Sequence, residues 1–403
     1  MDREKVHKLI SQFLHEQGYL KSLSAFQEES GFEFKEDSIK KSGELLSVLD
    51  EYHELTRDKV LAPSLLPLSD IAGSTFANKC LICLECLVGG SNILALRLQS
   101  DGVLIMGSTG GMLTTLVLPV PLPHDTSSIK NLPSQTTLHS AALITIDCHP
   151  FKQSLMLTGS MDRKVCLVQL TNSEPSVLQS FDHHRKFVVR VRWSPSGNCF
   201  ATASYDQSIC IYRGNENDKY VLKKQMRFNG QVEAITFRQT TDVLITAIRN
   251  DHKLHIIDMT EDEPNEIKAI NMNALGDDYV SFTAMDISCC PSDKFILVST
   301  DKNRLIIYDL ENGSQIANFY GSLNDEYSQP RSCWHPSGHY IYSTSQDKSI
   351  VVWEVTSQGV VAKLQGHTGM VRDLWYCEPL SVLASCGFDG TVRLWHSAVE
   401  QTE

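Results

Sequence analysis

HTGMVRDLWYCEPLSVLASCGFDGTVRLWH, residues 367–396, carries the pattern from which the rest of the chain can be read. It holds three short apolar segments, VRDLWYC, VLASCG and VRLW, parted by a Pro-containing turn and an Asp-Gly turn. Segments of this length rich in β-branched and aromatic residues, bounded by turn formers, read as strands. The same grammar recurs at residues 184–213, HRKFVVRVRWSPSGNCFATASYDQSICIYR. Laid on each other without a gap, His184 falls on His367, Thr202 on Ser385, Asp206 on Asp389 and Tyr212 on Trp395. Four offsets held in one ungapped register mark an internal repeat.

Further copies follow outward from these two. CWHPSGHYIYSTSQDKSIVVWE (333–354) supplies Pro336, Ser343, Asp347 and Trp353, and HSAALITIDCHPFKQSLMLTGSMDRKVCLVQ (139–169) supplies His139, Thr158 and Asp162. VEAITFRQTTDVLITAIRNDHKLHIID (232–258) and FTAMDISCCPSDKFILVSTDKNRLIIYD (282–309) keep the outline with degenerate signature positions. In ILALRLQSDGVLIMGSTGGMLTTLVL (93–118) only strand, turn and strand survive. About seven units spaced by roughly 42–52 residues fit four-stranded propeller blades.

On these residues the chain resembles the WD-repeat family from about Thr75 to His396. The resemblance implies an all-β, seven-bladed β-propeller of WD-type repeats. It also implies that the His, hydroxyl, Asp and aromatic of a unit form a hydrogen-bonded chain. His184, Thr202, Asp206 and Tyr212 would make one such structural network, and His367, Ser385, Asp389 and Trp395 another. Val168 and Ile257 stand at the aromatic position elsewhere, so the network is expected whole only in the blades of Asp206 and Asp389. The chain stops soon after Trp395, which leaves the last unit one strand short. The resemblance implies that ANKCLICLECLV (77–88) supplies that outer strand and closes the ring, because an open propeller would expose sheet edges.

The N-terminal residues have another period. Val6, Leu9, Ile10, Phe13 and Leu14 recur at helical spacing and Gly18 marks a stop; Tyr19, Leu20, Leu23 and Phe26 line a second helix ending near Ser30-Gly31. Helices this short are marginal alone, so their apolar stripe needs a partner. KLISQFLHEQGYLKSLSAFQEES (8–30) is similar to the LisH (lissencephaly homology) motif, which implies a small all-α dimerisation module and a homodimer built on Val6, Leu9, Ile10, Phe13, Leu14, Tyr19, Leu23 and Phe26. A third periodic stretch carries Leu45, Val48, Leu49 and Tyr52, and Pro63 and Pro67 then break helix propagation. The expected organisation is a helical module over 1–58, a linker over 59–74 and the propeller over 75–403.

Composition narrows the function. A formal net charge of −12 disfavours direct nucleic-acid binding, whose affinity comes largely from Lys and Arg on phosphates. No run of about 18 apolar residues suits a membrane span, and MDREKVHKLI lacks the apolar core of a signal peptide; cytoplasm or nucleus is expected. The twelve cysteines sit in strand-like segments and read as small buried hydrophobes. Cys80, Cys83 and Cys86 lie in an apolar run without a fourth zinc ligand or a tight turn, so no metal site is expected.

His, Ser and Asp also make hydrolytic triads, but here their offsets repeat with the fold, and no nucleophile elbow, phosphate loop or dinucleotide fingerprint is present. His183-His184 beside Arg185 and Lys186 could meet a phosphate; the plainer reading gives one histidine to the blade network. VLPVPLPHDTSSIKNLPSQTT (117–137) and the acidic DMTEDEPNE (258–266) read as surface loops. The expectation is a non-catalytic interaction scaffold without cofactor. LisH-plus-propeller resemblance implies a subunit of a ubiquitin-ligase, corepressor, splicing or microtubule-motor assembly, although Tyr308-Asp309 followed by Leu310-Glu311 departs from the signature of cullin-ligase receptors. The alternative is a hydrolytic or metal-dependent enzyme with its site on the propeller axis.

Overall fold

A computed structural model describes residues 3–34 apart from 17 and 33, and residues 75–397 apart from 86, 88, 124–128, 130, 172–173, 216–218, 261–262, 274–275 and 325–328. The stretch of Leu45, Val48, Leu49 and Tyr52 and the prolines of the expected linker lie outside the described residues. The chain divides into two compact units, Met1–Ala62 and Pro63–Glu403.

In the first unit, α1 (Arg3–Glu16) and α2 (Leu20–Ser30) pack on each other. Gly18 takes φ +76°, and Tyr19 donates its backbone N–H to the Leu14 carbonyl at 2.8 Å, which ends α1 where a residue free of Cβ can turn left-handed. Gly31, φ +68°, closes α2 the same way onto the Gln27 carbonyl. Leu9 and Leu23 are 5% and 7% exposed, and the His7 ring meets Phe26 edge-on at 5.5 Å. Val6, Ile10, Phe13, Leu14 and Phe26 are only half-buried within one chain, and Tyr19 stays 55% exposed. No described helix is long and apolar enough to cross a membrane.

The second unit is a ring of seven four-stranded antiparallel sheets. After β1 (Lys79–Leu84), consecutive strands form blade 1 over 93–137, blade 2 over 143–181, blade 3 over 188–227, blade 4 over 232–271, blade 5 over 284–320, blade 6 over 332–364 and blade 7 over 371–396. The first strands are β2 (Ile93–Leu98), β6 (Leu143–Cys148), β10 (Val188–Trp193), β14 (Val232–Phe237), β18 (Ala284–Cys289), β22 (Ser332–Trp334) and β26 (Val371–Cys377). They lie side by side around the axis, blade 7 meeting blade 1 to close the ring.

Burial explains why the repeats read as they do. Second strands such as Cys199–Ser204 and Val382–Gly387 are buried at every residue, because blades cover both faces. The outermost strand of blade 3, Tyr220–Arg227, alternates buried or half-buried with exposed after its first residue. Neighbouring blades approach closely: a Cβ on Gly107 would lie 2.3 Å from Leu143 Cδ2 of the next blade. Aspartates stitch blade to blade. Leu96 donates its N–H to Asp373 at 3.0 Å, Trp193 to Asp147 at 2.8 Å and Ser332 to Asp286 at 3.0 Å.

β1 pairs antiparallel with β28 (Val392–His396), setting Cys80 opposite Trp395 and Leu84 opposite Val392. Blade 7 therefore takes its outer strand from ahead of blade 1, as the family resemblance implied. Two loop expectations are corrected. Ser134–Thr137, the end of the Pro-rich insert, is β5, the outer strand of blade 1; Asn265 and Glu266, the end of the acidic run, open β17 (Asn265–Asn271), the outer strand of blade 4. An outermost strand needs apolar residues on one face at most, so polar sequence can still take its place in the ladder.

Candidate functional site

In each blade the loop entering the first strand and the turn between the second and third strands lie at the same end, because alternate strands run in opposite directions. The sequence-derived network residues all sit at this end or on the strands beneath it. In blade 7, His367 Nδ1 is 2.8 Å from Asp389 Oδ2, His367 Nε2 is 2.8 Å from Ser385 Oγ, and Trp395 Nε1 donates to Ser385 Oγ at 2.8 Å. Asp389 also accepts the N–H of Thr368 at 2.9 Å and of Thr391 at 3.0 Å. The carboxylate thus ties the incoming loop to the inter-strand turn.

Blade 3 repeats the relay with His184 at 3.1 Å from Asp206 and 2.8 Å from Thr202, and Arg185 donating its N–H to Asp206 at 2.7 Å. The aromatic departs from the expected chain: Tyr212 Oη pairs with His183 Nδ1 at 3.1 Å. Both histidines of the His183-His184 pair are therefore engaged within the blade. Blade 2 corrects a second expectation. Although Val168 stands at the aromatic position, His139 lies 3.0 Å from Asp162 and 2.9 Å from Thr158, and Ser140 donates its N–H to Asp162 at 3.1 Å. The three inner members satisfy one another without an indole. In blade 6, by contrast, Trp353 Nε1 donates to the Tyr320 carbonyl at 2.8 Å.

The electrostatics match a closed network. Burial works to raise the Asp389 carboxyl, but the Thr391 N–H, the His367 imidazole and the Thr368 N–H outweigh it and hold it at about 2. Asp206 is held well below the usual carboxylate range against burial by His184, Ser208 and the Arg185 N–H. Burial pulls His367 and His139 below the ordinary imidazole value, against the attraction of Asp389 and Asp162. A neutral imidazole donating from Nδ1 to the carboxylate leaves Nε2 to accept the hydroxyl proton, the tautomer such contacts require.

The connectivity is that of a hydrolytic triad, but access is not. Thr158, Thr202 and Ser385 are each 0% exposed. A nucleophile must reach a substrate carbonyl, so these hydroxyls serve as hydrogen-bond partners. Cys80 and Cys83 lie on β1, their Sγ atoms 3.6 Å from the Ile82 carbonyl and 3.8 Å from Glu85 Oε1, and Cys86 lies outside the described residues. Among the described residues no three His, Cys, Asp or Glu side chains are grouped to hold a metal ion.

Sequence reasoning missed what the same end exposes. Met161, Phe187, Leu323, Met370 and Phe388 project from its loops and turns. Phe388 carries the Arg372 guanidinium 5.3 Å above its ring, and its N–H bonds the Met370 carbonyl. Large apolar side chains beside the signature residues were the available signal.

Seven closed blades, three with the imidazole–carboxylate–hydroxyl relay, define a WD-repeat β-propeller. Residues 175–213, 318–354 and 358–396 match the family model described as WD domain, G-beta repeat. Each matched stretch begins in or near an outer strand and runs on through the next three strands, the same one-strand offset that β1 resolves at the ring closure. Among curated relatives, Pre-mRNA-processing factor 19 of Oryza sativa subsp. japonica is 21% identical over 253 residues, 63% of this chain and 37% of its own length. The Arabidopsis thaliana transcriptional corepressor LEUNIG_HOMOLOG is 21% identical over 293 residues, 72% of this chain and 35% of its own. Nuclear distribution protein PAC1 of Arthroderma otae is 42% identical over 67 residues, 17% of this chain and 14% of its own. The chain spans little more than a third of the length of the first two.

Proposed function

We propose that this chain is a non-catalytic protein-interaction scaffold in which N-terminal LisH-type helices, within residues 1–58, join two copies and the propeller of each, residues 75–403, is presented to protein partners. One observation carries the reading: the polar residues that could have done chemistry are turned inward to fasten loops, while large apolar side chains at the same end stay in water. A fixed surface with exposed Met and Phe suits protein recognition, since apolar anchors dominate interface energetics. The relatives' names speak of pre-mRNA processing, transcriptional corepression and nuclear distribution. They support membership of a multiprotein assembly in the cytoplasm or nucleus. For the helices, the half-buried Val6, Ile10, Phe13 and Leu14 and the exposed Tyr19 leave apolar surface for a second copy.

Two measurements test this. Leu9→Asp with Phe13→Asp should halve the mass by light scattering while the β-rich circular dichroism persists; an unchanged mass overturns the dimer. Phe187→Asp with Phe388→Asp should remove the proteins that co-purify with the tagged wild-type chain. Retention of every partner would place recognition elsewhere.

A further inference from the structure

Among the described residues, the charges that line the axis do not balance. Arg97, Arg190, Arg192 and Arg372 lie on first strands and Arg331 immediately precedes one; facing them are Asp147, Asp286 and Asp373. Arg97 bridges Asp147 at 3.5 Å and Asp373 at 3.3 Å, and Arg192 lies 3.9 Å from Asp147. Arg190 of blade 3 reaches Asp286 of blade 5 at 3.0 Å, passing blade 4, and Arg331 comes within 3.8 Å of the same oxygen. Glu233, the other acid on the described first strands that face the axis, is engaged by Arg249 and the Tyr205 hydroxyl. Four guanidiniums thus share three carboxylates, while the fifth, Arg372, donates Nη2 to Gln329 Oε1 at 2.6 Å, and each of those acids also accepts a backbone N–H of the next blade in the ring.

Donors are left over as well. The buried Nε atoms of Arg97, Arg190 and Arg372 have no hydrogen-bond partner, and Arg97 and Arg190 are only 4% exposed. Burial, then the neighbouring Arg190, pulls Arg331 and Arg372 below the usual guanidinium value. Uncompensated buried cations and unpaired donors are costly, and a negative ligand among them offsets both. Guanidinium forks match tetrahedral oxyanions. Among the described residues the excess of two positive charges suits a dianion, and the near-complete enclosure of Arg97 and Arg190 suits a ligand of few atoms over a peptide chain.

We propose that the propeller axis is a binding site for a small phosphate-bearing anion, held by Arg190, Arg331 and Arg372. The full-length chain is titrated calorimetrically with inorganic phosphate and, separately, with pyrophosphate, in chloride buffer of constant ionic strength. One anion should bind per chain in at least one arm, and Arg331→Gln or Arg372→Gln should weaken it tenfold or more. Lys223→Gln, a change on an exposed outer-strand lysine, should leave it as it was. Absence of binding in both arms, or binding indifferent to both arginine variants, overturns the site. A second measurement needs no variant: phenylglyoxal labels the native chain with and without the anion, and peptides are mapped by mass spectrometry. Peptides carrying Arg331 and Arg372 should be protected; equal labelling overturns the proposal.

Discussion

Three imidazoles make the same pair of contacts, yet only His367 is backed by an indole through a shared hydroxyl. Removing the Asp389 carboxylate strips the partner from His367 and from the Thr368 and Thr391 N–H groups at once. Asp389→Ala should therefore cost ~1–3 kcal/mol, the range for leaving buried donors unpaired. Trp395→Phe keeps most of the packing and deletes one bond, so a smaller loss of ~0.5–1.5 kcal/mol is expected. Urea unfolding followed by circular dichroism ranks the two, and an Asp389→Ala midpoint equal to wild type would deny the carboxylate its strut role. His367, Ser385, Asp389 and Trp395 were legible because an ungapped register put four chemically linked types at fixed offsets. The blade 2 relay was under-read because its aromatic is Val168, and the three inner groups do not need the fourth. Tyr212 held the expected position, but a phenol carries its oxygen at the far end of the ring and so meets His183.

At the scale of elements, inner strands were the legible ones. Burial on both faces writes continuous apolar sequence, as in Ile93–Leu98 and Phe295–Thr300. Outer strands have one partner strand and a wet side, and so Ser134–Thr137 and the start of β17 passed for loop. β1, KCLICL, is an outer strand rich in apolar residues. Its Ile82 and Leu84 pack into the same core cluster as Leu394 of β28, and its backbone covers an edge that would otherwise invite pairing with other chains. Burying each of these two side chains is worth ~1.5–3 kcal/mol. Deleting residues 1–62 should leave the propeller's melting temperature where it is. Deleting 1–84 should lower it by several degrees and produce aggregates in light scattering. Equal melting of the two truncations would show that blade 7 does without its borrowed strand.

For the whole molecule, acid should act through imidazoles buried in several blades together. His139, His149, His335 and His367 are all pulled below the ordinary imidazole value, burial being the largest cause in each, and His335, beside His339, falls to about 4. A group with a lowered folded-state value binds fewer protons folded than unfolded, so protonation favours unfolding as pH drops below the unfolded value near 6.5. The loss continues until the folded value is reached, near 4 for His335. Asp389, held at about 2, adds its own loss in the same direction, beginning near the unfolded carboxylate value of about 4 and running down to about 2. The net charge of −12 works the other way over the first part of this range, because acid removes negative self-repulsion. A difference measurement separates the two. His335→Gln keeps a polar partner for Ser337 and Tyr376 but cannot gain a proton, and it changes the overall charge hardly at all. Melting followed by scanning fluorimetry at constant ionic strength should show the wild type losing stability relative to this variant between pH 7 and pH 4.5. Curves that stay parallel across that interval would mean that His335 titrates alike in the folded and unfolded chain, contrary to its burial against Tyr376.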